Sequence, residues 1–254
     1  MLRTIVAIGI ILIVTYASLC AALFFFQRSL IYFPQPRSMG NGDTVATLHT
    51  PDASLTLTVR PVDSANALIY FGGNAEDVSA SLPGLSVAFP EHALYLLHYR
   101  GYGGSSGKPS EAALHRDALA LFDKVYAEHA RVTVVGRSLG SGVAIRLASV
   151  RPVTRLVLVS PYNSILELAA RQFPYLPVRW LLLDKFESWR YAAAVQAPTT
   201  LVVAEHDEII PAASSLRLQS QFAKDVARYQ VIPGAGHNTI SNSPAYLQAL
   251  RGAQ

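Results

Sequence analysis

The first feature of the chain is an uninterrupted apolar segment near its N-terminus. Residues 4–26 read TIVAIGIILIVTYASLCAALFFF and contain no charged side chain. As an α-helix, about 23 residues extend roughly 34 Å, which is enough to cross the hydrocarbon core of a bilayer. The segment lacks the polar face of a helix packed on a soluble core, and Phe24, Phe25 and Phe26 carry it past any signal-peptide cleavage site. The pattern predicts a retained, single-pass transmembrane helix.

A segment that interrupts regular structure follows the apolar run. Residues 27–42 contain two prolines and two glycines, which disfavour both helices and strands. We predict a linker here, followed by one domain over residues 43–254. On this division, a chain that begins near Gln35 is expected to be soluble and folded.

The rest of the chain alternates between strand-like and helix-like patterns. Residues 44–49 and 55–60 alternate apolar and polar side chains and predict two early strands. Continuous apolar runs, typical of strands covered on both faces, follow at residues 67–71, 93–97, 132–135, 156–159, 200–203 and 229–232. Helical patterns fall at residues 75–88, 110–129, 139–150, 211–223 and 244–251. This order predicts an α/β fold with a mostly parallel central sheet and helices on both faces.

One interval breaks the alternation of strands and helices. Residues 161–197 carry aromatic and aliphatic side chains together with Pro174 and Pro177, but no strand-like run. We predict that they form a small helical cap inserted over the sheet.

Composition narrows the class of protein. The chain has 254 residues, of which 51% are hydrophobic and 15% charged, so it is long and apolar enough to bury a core. The net charge of +4 is carried by scattered residues, which excludes a nucleic-acid interface. Arg3 lies before the apolar segment, and Arg28 and Arg37 lie after it, so the charge balance favours neither orientation in the membrane. No pattern predicts a metal site, a cofactor or an oligomeric state.

Two matches to the pattern G-x-S-x-G are present, centred on Ser105 and Ser138. The pattern places a nucleophilic serine on a sharp turn between a strand and a helix. Ser138 has this context, because the apolar run VTVV ends at Gly136 and a helical pattern begins at Leu139. Ser105 lies in a glycine-rich stretch several residues after its strand. We therefore assign Ser138 as the nucleophile.

A serine hydroxyl needs a base, and the base needs an orienting acid. His237 is the candidate base, since it lies in a glycine-containing loop between the last predicted strand and the last helix. Asp207 is the candidate acid, because it follows the strand at residues 200–203 and precedes a helix at the edge where ligands meet a parallel sheet. Glu205 and Glu208 are close alternatives.

A tetrahedral intermediate requires two backbone N–H donors. The first is expected from Leu139, directly after the nucleophile at the start of a helix. The second is expected from Asn74 in the sequence FGGNA, where Gly72 and Gly73 permit close approach of the backbone.

Five segments together carry a resemblance to a known family. YFGGNAED, HYRGYGGSSGKPSE, VVGRSLGSG, AEHDEIIP and GAGHN occur in this order and resemble the α/β-hydrolase superfamily. The anchor followed by QRSLIYFPQPR resembles the membrane-anchored bud-emergence-type (Bem-like) hydrolases, often labelled serine-aminopeptidase-like. The resemblance implies a Ser138–Asp207–His237 triad and a structural loop at residues 100–103. Gly72 departs from the pattern, because relatives carry histidine at this position.

These observations predict a serine hydrolase that cleaves an ester or thioester through an acyl-enzyme. The anchor and the apolar cap suggest a lipid-like acyl group, with Trp180, Leu182 and Phe186 as its contacts, although such residues also fit a cap that only covers the core. The alternatives are a serine aminopeptidase or amidase and a catalytically silent membrane scaffold. The fold alone does not separate them.

Overall fold

The computed structural model describes residues 1–40 and 42–252. Asn41 of the predicted linker, and residues 253–254 of the predicted domain, lie outside this part of the chain. The strands are β1 (Val45–Thr50), β2 (Ala53–Arg60), β3 (Asn66–Phe71), β4 (Ala93–Leu97), β5 (Arg131–Arg137), β6 (Arg155–Val159), β7 (Thr199–Ala204) and β8 (Ala227–Ile232). The α-helices are α1 (Leu2–Ile31), α2 (Leu82–Ala88), α3 (Glu111–Glu128), α4 (Leu139–Ala148), α5 (Ile165–Gln172), α6 (Val178–Leu181), α7 (Trp189–Ala192), α8 (Ala212–Gln219) and α9 (Pro244–Arg251).

The strands form one sheet with the order β1-β2-β4-β3-β5-β6-β7-β8. β2 pairs antiparallel with both β1 and β4, and the pairs from β4 through β3 to β8 are parallel. Parallel strands are joined by crossovers, so their carboxyl ends lie at one edge of the sheet. β5, β7 and β8 therefore deliver the loops with Ser138, Asp207 and His237 to the same edge.

The core lies on both faces of the sheet. Successive residues of a strand point to opposite faces. In β3, Ile69 and Phe71 pack into a cluster with α3 and α4, whereas Leu68 and Tyr70 pack into a second cluster with α2 and α9. The predicted mostly parallel sheet with helices on both faces is confirmed.

The second predicted helix begins later than the sequence indicates. Residues 78–81 form a 3₁₀ turn, and α2 starts only at Leu82. The Asp77 carboxylate accepts a hydrogen bond from the Ser79 amide at 3.0 Å and also binds the Ser38 hydroxyl. This side chain competes with helical bonding, and so residues 75–77 remain in a loop beside the site.

Three short helices, α5, α6 and α7, occupy the interval between β6 and β7. α5 begins at the Ser164 cap, whose hydroxyl accepts from the Glu167 amide at 3.0 Å. Residues 161–197 thus fold as short helices rather than strands. We call residues 161–197 the cap.

The N-terminal helix is longer than the predicted span. α1 continues to Ile31, so residues 27–31, assigned to the linker from sequence, form its last turn. Within the described residues it is the one helix long and apolar enough to cross a membrane, with a mean hydropathy of 2.5. Its last turn is fixed to the cap, because Arg28 pairs with Asp184 at 2.9 Å and the Gln27 side chain accepts from the Leu183 amide at 2.7 Å.

Candidate active site

The predicted nucleophile lies on a sharp turn between β5 and α4. β5 ends at Arg137, α4 begins at Leu139, and Ser138 between them has φ 49° and ψ −117°. Positive φ is strained for a residue with a side chain, and such a turn lifts a serine hydroxyl clear of the sheet. The Ser138 amide donates to the Val159 carbonyl at 2.8 Å, which holds the turn against β6.

Glycine is required on both sides of this turn. A Cβ atom on Gly136 would collide with the carbonyl of Gly140, and a Cβ atom on Gly140 would collide with the carbonyl of Phe71. The two outer residues of the G-x-S-x-G pattern therefore allow α4 to pack directly on the end of the sheet.

His237 lies between the serine and the aspartate. Its Nε2 is 3.1 Å from Ser138 Oγ, and its Nδ1 is 2.9 Å from both carboxylate oxygens of Asp207. The side chains of His237 and Asp207 are only 6% and 2% exposed, so water competes little for these hydrogen bonds. The structure thus brings the three predicted residues into one hydrogen-bonded chain, with the spacing that nucleophilic catalysis requires.

Asp207 is held as an anion. Burial would raise its pKa, but hydrogen bonds from His237 and from the Ile210 amide outweigh burial and lower the pKa below its ordinary value. The two alternative acids bind backbone instead. Glu208 accepts from the His237 amide at 2.9 Å, and Glu205 accepts from the Gly234 amide at 2.7 Å. Both glutamates therefore hold the loop that carries His237, and neither takes part in the hydrogen bonds that join Ser138, His237 and Asp207.

Ser105, at the centre of the second G-x-S-x-G match, has a structural role. Ser105 is buried, and its hydroxyl donates to the His98 carbonyl at 2.7 Å and accepts from the Thr56 amide at 2.8 Å. Its hydroxyl is therefore occupied in bracing the loop at the end of β4.

Leu139 and Asn74, the residues expected to supply the oxyanion donors, line the same cavity as Ser138. Leu139 is the first residue of α4, where backbone amides lack intrahelical acceptors. The Gly73 position is so close that a Cβ atom there would lie 3.7 Å from the Cβ of Ser138. The Asn74 carbonyl, one peptide after the expected donor, accepts from the Tyr102 hydroxyl at 2.6 Å and from the Phe33 amide at 3.1 Å.

Comparison with known proteins agrees with this architecture. An uncharacterized protein of Mycobacterium tuberculosis is 35% identical over 252 residues, covering 89% of this chain and 86% of that protein. The α/β hydrolase domain-containing protein aho-3 of Caenorhabditis elegans is 31% identical, and the match covers 76% of this chain and 59% of aho-3. Protein bem46 of Schizosaccharomyces pombe is 26% identical, and the match covers 90% of this chain and 85% of bem46. No protein-family model matches the chain.

The solved structures show the same fold. An esterase from Pyrococcus furiosus superposes with a TM-score of 0.67 at 19% identity, over 86% of this chain and 97% of that one. The chain belongs to the α/β-hydrolase superfamily. Its resemblance to the Bem-like branch is also shown by the similarity to bem46. Membership of this superfamily supports hydrolase activity.

Gly72, where the family resemblance led us to expect histidine, has no room for a side chain. A Cβ atom at this position would lie 2.5 Å from Val78 Cγ1 and 3.2 Å from the Glu76 carboxylate. Glu76 fills the space, and its Oε2 accepts from the Gly73 amide at 2.8 Å. Glu76 therefore supports the glycine turn beside Ser138.

A cavity of about 250 Å³ opens beside Ser138 and His237. Of the three predicted substrate contacts, none lines it. Trp180 is 83% exposed on the outside of the cap, and Phe186 is buried in the core beneath it. Leu182 lines a separate groove next to the cavity. The structure corrects the assignment of Trp180 and Phe186, because Trp180 on α6 faces outward and Phe186, between α6 and α7, packs into the core.

Sequence reasoning missed several residues of this site. Leu30 and Ile31, from the last turn of α1, line the cavity together with Ile165 of the cap. Glu76 and Arg137 form an ion pair at its edge. Leu30 follows Phe26 by four residues, the spacing of one helical face, and this was the available signal, but the linker assignment obscured it.

Proposed function

We propose that the protein is a serine hydrolase that cleaves a carboxylic ester or thioester through an acyl-enzyme. The observation that carries the proposal is the hydrogen-bonded chain from Ser138 Oγ through His237 to Asp207. It supports the removal of the serine proton by a base whose imidazolium form is stabilised by an adjacent carboxylate.

In the acylation step, Ser138 Oγ forms a bond to the acyl carbon while its proton passes to His237 Nε2. The carbonyl electrons move to oxygen, where the Leu139 and Asn74 amides donate hydrogen bonds. The intermediate collapses, the C–O or C–S bond breaks, and the proton on His237 passes to the leaving alcohol or thiol. Water then repeats the sequence on the acyl-enzyme and releases a carboxylic acid.

The polarity of the site favours an ester over an aminopeptidase substrate. A free α-amino group would require an available carboxylate near the nucleophile. Glu76 lines the cavity, but its carboxylate already binds Arg137, the Gly73 amide, the Tyr70 hydroxyl and the Ser81 hydroxyl. A neutral acyl group is therefore the better match.

We further propose that α1 is a retained membrane anchor. Removal of α1 as a signal peptide would take away Gln27 and Arg28, which bond to the cap, and Leu30 and Ile31, which line the cavity. These contacts support a helix that stays part of the mature protein.

Labelling with a fluorophosphonate, followed by turnover of p-nitrophenyl esters, acyl thioesters and amino-acid amides, tests the proposal. Ser138→Ala is expected to abolish labelling and turnover, whereas Ser105→Ala is the matched control that retains labelling if it folds. A wild-type chain that neither labels nor turns over would indicate a silent scaffold. Faster cleavage of amides with a free α-amino group would favour the aminopeptidase alternative.

A further inference from the structure

A groove of about 90 Å³ runs from the catalytic cavity along α1, between this helix and residues 173–182 of the cap, which include α6. Leu30 and Ile31 line both the groove and the catalytic cavity, so the two spaces adjoin. Farther from Ser138, the groove is walled by Leu23, Leu176 and Leu181.

The groove has no polar group to offer a ligand among the lining residues that the structure describes. Gln27 is the polar residue on its wall, and both the nitrogen and the oxygen of its side-chain amide already form hydrogen bonds within the protein. Its amide nitrogen donates to the carbonyls of Phe24 and Leu181 at 2.8 and 3.1 Å, and its oxygen accepts from the Leu183 amide. The remaining walls are apolar, so transfer of hydrocarbon into the groove is favourable.

The groove extends to membrane depth along the proposed anchor. Arg28, paired with Asp184, marks the polar end of the apolar segment. Leu23 lies five residues before it, about 7.5 Å deeper along the helix axis. The cap extends deeper still, because the Tyr16 hydroxyl donates to the Tyr175 carbonyl at 2.9 Å, about 18 Å from Arg28.

The outward-facing surfaces of the two helices beside the groove, α1 and α6, are apolar as well. Phe25 and Phe26 of α1 are 78% and 65% exposed, and Trp180 of the cap is 83% exposed. Large exposed apolar and aromatic side chains beside a membrane span are typical of a surface in contact with lipid. Both helices that wall the groove therefore carry the kind of exposed surface that contacts hydrocarbon.

The catalytic cavity adjoins a different space on another flank. A cavity of about 540 Å³ shares Glu76 and Arg137 with it and is lined beyond them by Asp77, Ser81 and Ser241 on one side and by apolar side chains on the other. Ser138 thus lies between an apolar space and one that offers polar groups. An ester that joins a hydrocarbon chain to a polar alcohol has the matching distribution of polarity.

We propose that the groove binds the acyl chain of a membrane-resident ester, which enters laterally from the bilayer between α1 and α6. The inference rests on the proposed ester hydrolysis and adds the substrate class, a lipid. It also makes the anchor helix one wall of the substrate site. The ester carbonyl would lie at Ser138, with its polar alcohol in the cavity that contains Asp77 and Ser81.

The test uses the full-length protein in phosphatidylcholine vesicles and p-nitrophenyl esters of two to twelve carbons. For the wild type, kcat/KM is expected to rise about fourfold for each methylene that enters the groove. Leu181→Trp and Leu176→Trp fill the groove, and each is expected to lower the dodecanoate-to-acetate ratio of kcat/KM at least tenfold. Leu183→Trp is the matched control, because Leu183 lies two residues from Leu181 but is exposed. Partitioning of the esters into vesicles is common to all variants and cancels in their comparison.

A second readout separates binding from turnover. Labelling rates with ethyl and dodecyl fluorophosphonates are compared, and the groove-filling variants are expected to lose the preference for the dodecyl probe while still reacting with the ethyl probe. A wild-type chain-length profile in Leu181→Trp and Leu176→Trp, with normal ethyl labelling, would overturn the inference and leave ester hydrolysis intact. A wild type that reacts with neither esters nor probes would instead contradict the proposed function.

Discussion

Arg137 Nη1 lies 3.0 Å from Glu76 Oε2, and this ion pair joins two loops of the catalytic site. Glu76 also accepts from the Gly73 amide, in the turn beside Ser138. Arg137 Nη2 also contacts the His237 carbonyl at 3.3 Å. One mostly buried ion pair therefore sets the position of the expected oxyanion turn relative to the histidine loop.

We expect Glu76→Gln to destabilise the protein by about 3–5 kcal/mol, because it leaves the buried guanidinium of Arg137 without a counter-charge. Turnover of a small ester should fall with it, and the double variant Glu76→Gln/Arg137→Met should regain part of the stability. Denaturant unfolding in neutral detergent measures the first effect. The exposed pair Arg151–Asp123 is the control, and Arg151→Met should cost less than about 1 kcal/mol. Equal costs for the buried and exposed pairs would contradict the positioning role.

Asp207→Asn is expected to lower kcat by about 10⁴-fold if the precedent of serine proteases applies, since an amide no longer stabilises the imidazolium or fixes its tautomer. Glu208→Gln should have a small effect, because a glutamine oxygen still accepts from the His237 amide. Steady-state turnover of p-nitrophenyl acetate distinguishes the two. If Glu208→Gln is the damaging substitution and Asp207→Asn the mild one, the acid has been assigned to the wrong residue.

Gly72→Ala is expected to cost about 1–3 kcal/mol, because its new methyl group would lie 2.5 Å from the Val78 side chain. Val78→Ala in the same chain should relieve part of this steric cost. Gly84→Ala is the matched control, since a Cβ atom there meets only Leu247 at 3.9 Å and alanine favours the helix by about 1 kcal/mol. Thermal unfolding of the three variants should give effects of opposite sign at Gly72 and Gly84.

Removal of residues 1–34 is expected to destabilise the domain, in contrast to the soluble chain that the sequence predicts. Asp184 has a side chain only 6% exposed and binds both Arg28 and Tyr32. Its carboxylate would lose both partners, which water replaces only in part, at a cost of about 1–3 kcal/mol relative to a chain that begins at Gln27. Asp184→Asn should restore part of the loss in the shorter chain. Equal unfolding midpoints for the two truncations would refute this view of the contact.

The buried His98 should make stability depend on pH. Burial lowers its pKa to about 4, so the folded protein binds this proton only below that pH, whereas the unfolded chain binds it below about 6.5. Stability contributed by the neutral side chain is therefore lost as pH falls from about 6.5 to about 4, by up to about 3 kcal/mol. His98→Gln should remove this part of the slope, measured by urea unfolding at each pH. His206→Gln, at an exposed histidine, should leave it unchanged.

Much of the fold could be predicted because its signals are local. The apolar runs that became β3 to β8 and the glycines around Ser138 each depend on a few neighbouring residues. The order of serine, acid and histidine along the chain was also informative, because parallel strands bring their carboxyl ends together.

The errors concern contacts between distant segments. Trp180 and Phe186 have similar apolar character, and the sequence does not reveal that the cap exposes one and buries the other. Likewise, the contacts of Gln27 and Arg28 join residues more than 150 positions apart. Such pairings depend on how the cap packs on α1, for which neither periodicity nor spacing gives a signal.

The position of Leu30 and Ile31 in the cavity wall has a consequence for an anchored enzyme. The tilt of a membrane helix responds to the thickness of the bilayer around it. When the last turn of that helix is also a wall of the active site, a change of tilt moves the wall relative to Ser138. The same protein would then turn over its substrate at different rates in thin and thick membranes, so its activity would report the thickness of the bilayer.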